Sequence, residues 1–559
     1  MPVPFLLASP FVELIKHAEK EPDKIILRDH AAGVTATAGE LLNAVSLLRQ
    51  EVHSCVLASG MYDAVGPNSD KFIFILAPPG LDYVVAMLTI FSLGAAISPQ
   101  SIAIRPEELA RFIKLARPLA VLYSPIFEEK IATVDLGDLS PQTPFHAITS
   151  GKRISKDAGP AFQFRVESSS VPGSNQLGSL FFTSGTSGNQ KGVLHTYLAL
   201  LASARERIAT WNLMENDVVL NQKPANWMGG IFGILPSLIT GACLETCAGV
   251  FEPKWFWERI RQGGVSVFDV APTGYDRLSQ YFDEHIAVLP PVEKGEYLEP
   301  LIAARCVGVT GSLLPTHTQR RWTEMRRGKP LLNCLGSTEV VFICNMKWND
   351  PDYADMSSVG PAVPGVEIRI VDGEMRLKSP SMFQRYLGDP AQTEKAFDCE
   401  GYFRTGDCAE KMGDSYTLHG RANIDVLHFW GFTLRTVEIE NALFSLPYIA
   451  EAIAFPIDDK EYQERAAAVL KLKPAHYSNR PDIHRLRSDL TEKTGLLPLK
   501  QPTVIHWLKE DEEIPLTVNG KVSKKNARKQ YFGDGWQKRD GVEILDLKNL
   551  DYWRMGGQC

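Results

Sequence analysis

Apolar positions recur along the chain with two periods, and the elements they predict change character near residue 425. Residues 72–77 (FIFILA) are an unbroken apolar run of strand length, and residues 81–93 carry the spacing of a helix that Gly94 stops. The pattern repeats at residues 180–183, a strand, followed by a polar loop at 184–192 and a helix with apolar face Leu194, Leu198, Leu201 and Ile208. Such alternation through residue 420 predicts an α/β fold: mostly parallel sheets covered by helices, with that loop as a strand-to-helix turn. Beyond 425 the predicted elements shorten to a helix at 436–444, strands at 449–455 and 466–472, a helix at 482–494 and a strand at 503–508. They predict a small α+β domain. Residues 531–559 mix charges with Trp536, Tyr552 and Trp553, which suits either a docked tail or a frayed one.

Composition narrows the function classes. The 559 residues are 44% hydrophobic and 22% charged, enough for two to four folding units and a cleft between them. A net charge of -7, from 59 basic and 66 acidic residues, gives no electrostatic basis for binding nucleic acid or anionic membrane. Residues 83–104 and 224–244 lack charge over a membrane's width, but Gly94, Pro99, Pro236 and four glycines in the second stretch mark them as buried core elements. The start of the chain has no basic residues ahead of an apolar core, and its end, Gly-Gln-Cys, is no peroxisomal address. Nine scattered cysteines without metal-ligand spacing read as reduced thiols, so a soluble cytoplasmic protein without stable membrane insertion is expected. Small-molecule chemistry is the default expectation.

One segment suggests which chemistry. Thr183-Ser184-Gly185-Thr186-Ser187-Gly188-Asn189-Gln190-Lys191-Gly192 holds three glycines, four hydroxyls and one lysine. Glycines let backbone N–H groups turn toward an anion, hydroxyls donate further bonds, and a helix start and Lys191 would add positive potential. The spacing is neither that of a Walker A loop nor that of a G-x-S-x-G nucleophile elbow. Taken alone, the loop suits phosphate or a plain turn equally.

The loop resembles the phosphate loop of the adenylate-forming superfamily of acyl-CoA synthetases, carrier-loading adenylation domains and luciferases. Four further segments follow in that family's order. Leu335-Gly336-Ser337-Thr338-Glu339 is similar to its aromatic-G-x-T-E segment, and Tyr402-Phe403-Arg404-Thr405-Gly406-Asp407 to Y-x-R-T-G-D. Gly420-Arg421 through Gly431 to Glu440 resembles the hinge segment, and Pro515 to Lys521 the terminal P-x-T-x-x-G-K. The resemblance implies a large domain at residues 1–422, a hinge at 423–425, a small mobile domain at 426–530 and a tail at 531–559.

Its functional implication is chemically sensible. A carboxylate is a poor electrophile, so ATP first attaches AMP to it and a thiol then displaces AMP; fixed cations and donors at the α-phosphate matter more than a general base. The resemblance assigns Lys521, Thr338 and Glu339 to catalysis, with Lys521 reaching the reacting carboxylate and Thr338 the α-phosphate. It puts Mg²⁺ on Glu339 and Thr186, and ATP against Thr183, Ser184, Gly185, Thr186, Ser187, Gly188, Lys191, Gly311, Ser312, Leu335, Gly336, Asp407 and Arg421, with Asp407 on the ribose. Gly431 would line the tunnel for coenzyme A. Trp227 and Gly230 fall in the acyl pocket, Trp227 where many relatives place a histidine. Arg277, in Pro272-Thr273-Gly274-Tyr275-Asp276-Arg277, stands where malonate-using members carry an arginine, and would pair with a second substrate carboxylate or sit on a helix surface. Leu335 replaces an adenine-stacking aromatic, Gln190 a proline and His428 a lysine. The expected activity is an ATP-dependent acyl-CoA ligase acting on a carboxylic acid, with malonate, medium-chain, aryl and polyketide-derived acids all open; a carrier-loading adenylation enzyme, with a carrier or acyl-transfer partner, and a non-catalytic binder are the alternatives.

Overall fold

The computed structural model describes residues 4–6, 10–61, 70–139, 142–149, 165–167, 175–183, 190–247, 249, 251–348, 358–422, 424–429, 432–516 and 522–547. Two large sheets form the body. The first has seven strands in the order Arg385–Tyr386, Lys191–Thr196, Leu177–Thr183, Ala96–Pro99, Phe72–Leu76, Ala120–Tyr123 and Phe145–Ala147. From Leu177–Thr183 onward all its pairings are parallel. Phe72–Leu76 is buried at every position, which is why its sequence is an unbroken apolar run.

The second sheet has eight strands, of which the central six, from Leu332–Leu335 to Ile25–Asp29, are parallel. Helices Ala38–Ala58, Leu81–Ser92 and Met228–Thr240 share one apolar core with strands of the first sheet. In Leu81–Ser92 every residue except Asp82 is buried, as expected of a helix enclosed on all sides. The two charge-free stretches are therefore core, and among the described residues no helix is long and apolar enough to cross a membrane.

Two expectations need correction. The glycine-rich loop does not lead into a helix: Leu177–Thr183 and Lys191–Thr196 are antiparallel neighbours, with Thr183 paired to Lys191, and the helix starts only at Tyr197. Leu194 accordingly lies in a strand. Its apolar neighbours fit either period over so short a run, and the β-branched Val193 and Thr196 tip it to strand. Nor does the strand–helix alternation run to residue 420. Residues 358–421 instead form a five-stranded antiparallel sheet, Ser358–Pro361, Ser415–Arg421, Phe403–Met412, Glu374–Lys378 and Glu367–Val371, whose half-exposed strands alternate inward and outward.

The small domain follows expectation closely. Helix Thr436–Phe444, strands Ile449–Asp459 and Gln463–Leu472, helix Ile483–Asp489 and strand Val504–Trp507 enclose a core of their own. The tail is docked at its start: Val542–Ile544 pairs antiparallel with Val504–Trp507, and Leu545 and Leu547 are buried.

One buried carboxylate fastens the edge of the eight-stranded sheet. Glu245 accepts from Arg259 Nε at 2.5 Å and Nη2 at 2.9 Å, from Arg28 Nη1 at 2.8 Å and contacts His30 Nε2 at 3.2 Å. Burial alone would raise its pKa, but Arg259 and Arg28 hold it down at about 2. Because its folded value lies below the ordinary 4.5, its contribution is present above that pH and is lost as pH falls toward 2. Glu245→Gln is expected to cost about 3 kcal/mol of stability at neutral pH and to flatten the acid limb of a urea-denaturation series, by removing the buried partner of two arginines.

Candidate active site

The site lies where the carboxyl ends of the parallel strands meet the antiparallel sheet, the usual crevice of an open α/β sheet. Thr183 and Lys191 stand opposite each other at the mouth of the glycine-rich loop. Ser184, Gly185, Thr186, Ser187 and Gly188 lie outside the described residues. Gln190, in place of the family's proline, anchors the base of the loop: its Oε1 accepts from Arg111 at 2.5 Å and its Nε2 donates to Glu108 at 2.8 Å.

Lys191 reaches toward a residue that sequence reasoning missed. Its ammonium sits 4.8 Å from the centre of the Tyr386 ring, and the Tyr386 hydroxyl donates to Glu339 Oε1 at 3.1 Å. Burial and the charge of Glu339 push the Tyr386 pKa up, so the phenol stays a donor. The loop lysine and the expected Mg²⁺ carboxylate are thus joined through one aromatic ring. Thr338 is fixed from below by buried His195, another residue without a sequence signal. Burial lowers the His195 pKa to about 4, so the ring is neutral, and Nε2 donates to the Thr338 carbonyl at 2.6 Å.

Gly311 and Gly336 border the same space, and each has a backbone reason to be glycine. Gly311 has φ +105°, and a Cβ on Gly336 would collide with the Val341 carbonyl. Ser312 is exposed beside Gly311, and Leu335 is half-buried, packing into the core under the antiparallel sheet.

Asp407 and Arg421 are cross-strand partners, with Arg421 Nε 2.8 Å from Asp407 Oδ1. Burial raises the Asp407 pKa against the pull of Arg421, and Glu339 adds to the rise, which places both carboxylates in one electrostatic neighbourhood. The backbone N–H of Arg421 donates to Asp425 Oδ2 at 2.8 Å. Asp425 also accepts from Thr436 Oγ1 at 3.0 Å and from Lys524, whose ammonium lies 2.7 Å from Glu440. The expected hinge is therefore held by a buried cluster drawing on both domains. Asn423, Gly431 and Lys521 lie outside the described residues.

Two cavities meet at this site. The smaller, about 170 Å³, is bounded by Thr183, Gly311, Gly336 and Thr338 at one end and by Phe232 and Phe342 in its wall. The larger, about 340 Å³, is mainly apolar and runs past Pro79, Phe251 and Arg277 to Leu516 of the small domain. Asn226 and Trp227 line both, together with Lys223 and Asp269. Trp227 is thus a partition, half-buried at the start of the Met228–Thr240 helix. Gly229 faces the smaller cavity, whereas Gly230 packs against the Pro224 carbonyl and lines neither. Arg277 is exposed, 5.7 Å from the Phe251 ring, and borders only the larger cavity.

The partition contains buried charge that the sequence reading did not single out. Lys223 Nζ donates to Asp269 Oδ2 at 2.6 Å, and Arg207 Nη2 donates to the same oxygen at 2.8 Å. A signal existed: Asp269 interrupts the otherwise apolar Val267–Val270 strand. Among the described residues no group of three or more His, Cys, Asp or Glu side chains could hold a metal by itself.

Comparison with known proteins agrees with this arrangement. Residues 14–387 match the AMP-binding enzyme family, and residues 438–521 match the AMP-binding enzyme C-terminal domain. The chain is 28% identical over 555 residues to the acyl-CoA ligase oryP of Aspergillus oryzae, covering 97% of this chain and 96% of that one. It is 27% identical over 520 residues to the mitochondrial malonate–CoA ligase ACSF3 of Mus musculus, covering 85% and 84%. In fold it is similar to ATP-bound MatB from Rhodopseudomonas palustris, with a TM-score of 0.75, 21% identity and coverage of 94% and 99%. The anthranilate CoA ligase AuaEII, in complex with anthranoyl-AMP, gives a TM-score of 0.76 at 19% identity, covering 95% and 98%.

The hinge cluster yields a direct expectation. Lys524→Met would leave Asp425 and Glu440 facing each other without their cation, and is expected to cost about 3 kcal/mol in urea denaturation. Lys524→Arg should recover most of that loss.

Proposed function

The chain belongs to the AMP-binding enzyme family, and from that membership and the geometry of the site we infer that it is an ATP-dependent acyl-CoA ligase. A carboxylate attacks the α-phosphate of ATP, giving acyl-AMP and pyrophosphate; the thiol of coenzyme A then attacks the acyl carbon, AMP leaves, and the thiol proton passes to solvent. The observation that carries the residue-level reading is the pair of cavities meeting at Trp227. The smaller opens beside Thr338 and suits the acid, and the larger extends to the small domain and suits the pantetheine arm.

In this reading Thr338 donates to the α-phosphate, with its backbone held by His195. Lys191 lies at the loop mouth to meet the outer phosphates, and Asp407 accepts from the ribose hydroxyls with Arg421 beside it. Glu339 offers one partly buried carboxylate that accepts a bond from Tyr386. One carboxylate plus phosphate oxygens suits Mg²⁺, which usually keeps waters and binds through substrate phosphates. When bound, Mg²⁺ would neutralise charge on the departing pyrophosphate. Lys521 would approach from the small domain, as the resemblance assigns it, and Gly431 would line the thiol tunnel. Eight free cysteines among the described residues suit a reducing cytoplasm.

AMP release by the purified protein with Mg²⁺-ATP and a panel of carboxylic acids, with and without coenzyme A, tests the activity. AMP that requires both an acid and coenzyme A is expected. Pyrophosphate exchange without turnover on coenzyme A would point to a carrier protein as acceptor, and silence across the panel would refute the ligase. Lys521→Ala is expected to abolish pyrophosphate release while sparing thioester formation from supplied acyl-AMP. Equal loss in both half-reactions would remove Lys521 from its role.

A further inference from the structure

A short strap of chain touches both Lys191 and Glu339. Arg385–Tyr386 is an edge strand on Lys191–Thr196, with Tyr386 paired to Val193. Gln384 N–H donates to the Leu194 carbonyl and Leu387 N–H to the Gly192 carbonyl, each at 2.7 Å. Just before the strand, Phe383 N–H donates to the Glu339 carbonyl at 2.6 Å. Tyr386 N–H donates at 3.0 Å to Thr393 Oγ1, in the helix Pro390–Lys395. Tyr386 is 5% exposed, and its ring centre lies 4.8 Å from that of Phe383. A phenol fixed by strand pairing, by Thr393 and by Phe383 has little freedom to turn away from Glu339.

Lys191 is held by the same strap. Besides meeting the Tyr386 ring, its ammonium donates to Gln392 Oε1 at 2.8 Å, in the amide orientation that also lets Gln392 Nε2 donate to Asp389 Oδ2. Ring and amide are uncharged, so they orient the ammonium without neutralising it. On the other side of the ring, the hydroxyl donates to one carboxylate oxygen of Glu339, Oε1. A cation that demands near-ideal octahedral geometry and takes few protein ligands binds better when such a ligand is already set in place.

We propose that Tyr386 is a positioning residue for adenylation: its hydroxyl sets the Glu339 carboxylate so that Oε2 is offered to the Mg²⁺ that arrives with ATP, while its ring, with Gln392, holds Lys191 ready for the outer phosphates. The inference rests on the ligase reading and deepens it. Tyr386 itself transfers no proton, because burial and Glu339 keep its phenol protonated.

The test separates metal binding from turnover. Mn²⁺ is titrated into the protein saturated with the α,β-methylene analogue of ATP, and bound metal is read by water-proton relaxation. Tyr386→Phe keeps the ring and is expected to weaken Mn²⁺ binding about 10-fold or more, with affinity for the metal-free analogue unchanged. Tyr386→Leu is expected to weaken Mn²⁺ binding as much and to lower metal-free affinity about 3-fold or more, because Lys191 loses its ring. Both variants should raise the Mg²⁺ concentration for half-maximal AMP release while sparing thioester formation from supplied acyl-AMP. Unchanged Mn²⁺ affinity in Tyr386→Phe, or equal loss in the two half-reactions, overturns the proposal even where the wild type is a working ligase. Weaker Mn²⁺ binding in Tyr386→Phe, together with a wild type that releases no AMP from any acid, upholds the setting of Glu339 and refutes the ligase. Gln392→Leu, on the outer helix, keeps the question open to experiment should the Tyr386 variants fail to fold. It is expected to weaken the metal-free analogue about 3-fold with Mn²⁺ affinity intact, and no change in either overturns the holding of Lys191.

Discussion

A single buried carboxylate ties the two halves of the molecule to each other. Asp425 accepts the backbone N–H of Arg421 from the large domain, the Thr436 hydroxyl from the small one, and the ammonium of Lys524. Its neighbour Gly420, at φ +98°, leaves room for it, because a Cβ there would lie 2.5 Å from the Asp425 side chain. Arg421 is also the cross-strand partner of Asp407, so Asp407, Asp425 and the Lys524–Phe532 helix are linked in one chain of polar contacts. The cluster therefore joins the segment that ends the antiparallel sheet to the helices of the small domain through one buried charge.

Two buried charge clusters of the eight-stranded sheet are built on opposite principles. Glu245 collects two arginines and a histidine around both its oxygens and is satisfied from every side, as suits a structural fastening at a sheet edge. Asp269 receives two cations on one oxygen, beside a cavity. Both sit on strands of one sheet, and Asp269 is the one that borders the two cavities.

Much of the architecture was legible because period and composition report burial. Unbroken apolar runs such as Phe72–Leu76 marked the parallel sheets, and the small domain's elements came out almost residue for residue. Two errors share one physical origin. Lys191–Thr196 is too short for its period to separate strand from helix, and residues 358–421 were absorbed into an alternation they do not share. Thr338, Glu339, Asp407 and Arg421 could be singled out because each lies in a motif contiguous in sequence. Tyr386, His195, Arg207 and Lys223 were missed because their partners are distant along the chain, as in the His195–Thr338 and Arg207–Asp269 contacts. Arg277, weighed as an anion contact or a helix-surface arginine, is exposed and lines the larger cavity together with Trp227.

The partition at Trp227 bears on how such an enzyme diversifies. Because the indole and the Lys223–Asp269 pair divide the interior into two chambers, the other residues lining one chamber, Asn226 apart, are separate from those lining the other. Substitutions at Phe232 or Phe342 would reshape the smaller chamber without touching the lining of the larger one. The partition makes the scaffold modular: each chamber can change shape one side chain at a time while the other keeps its lining.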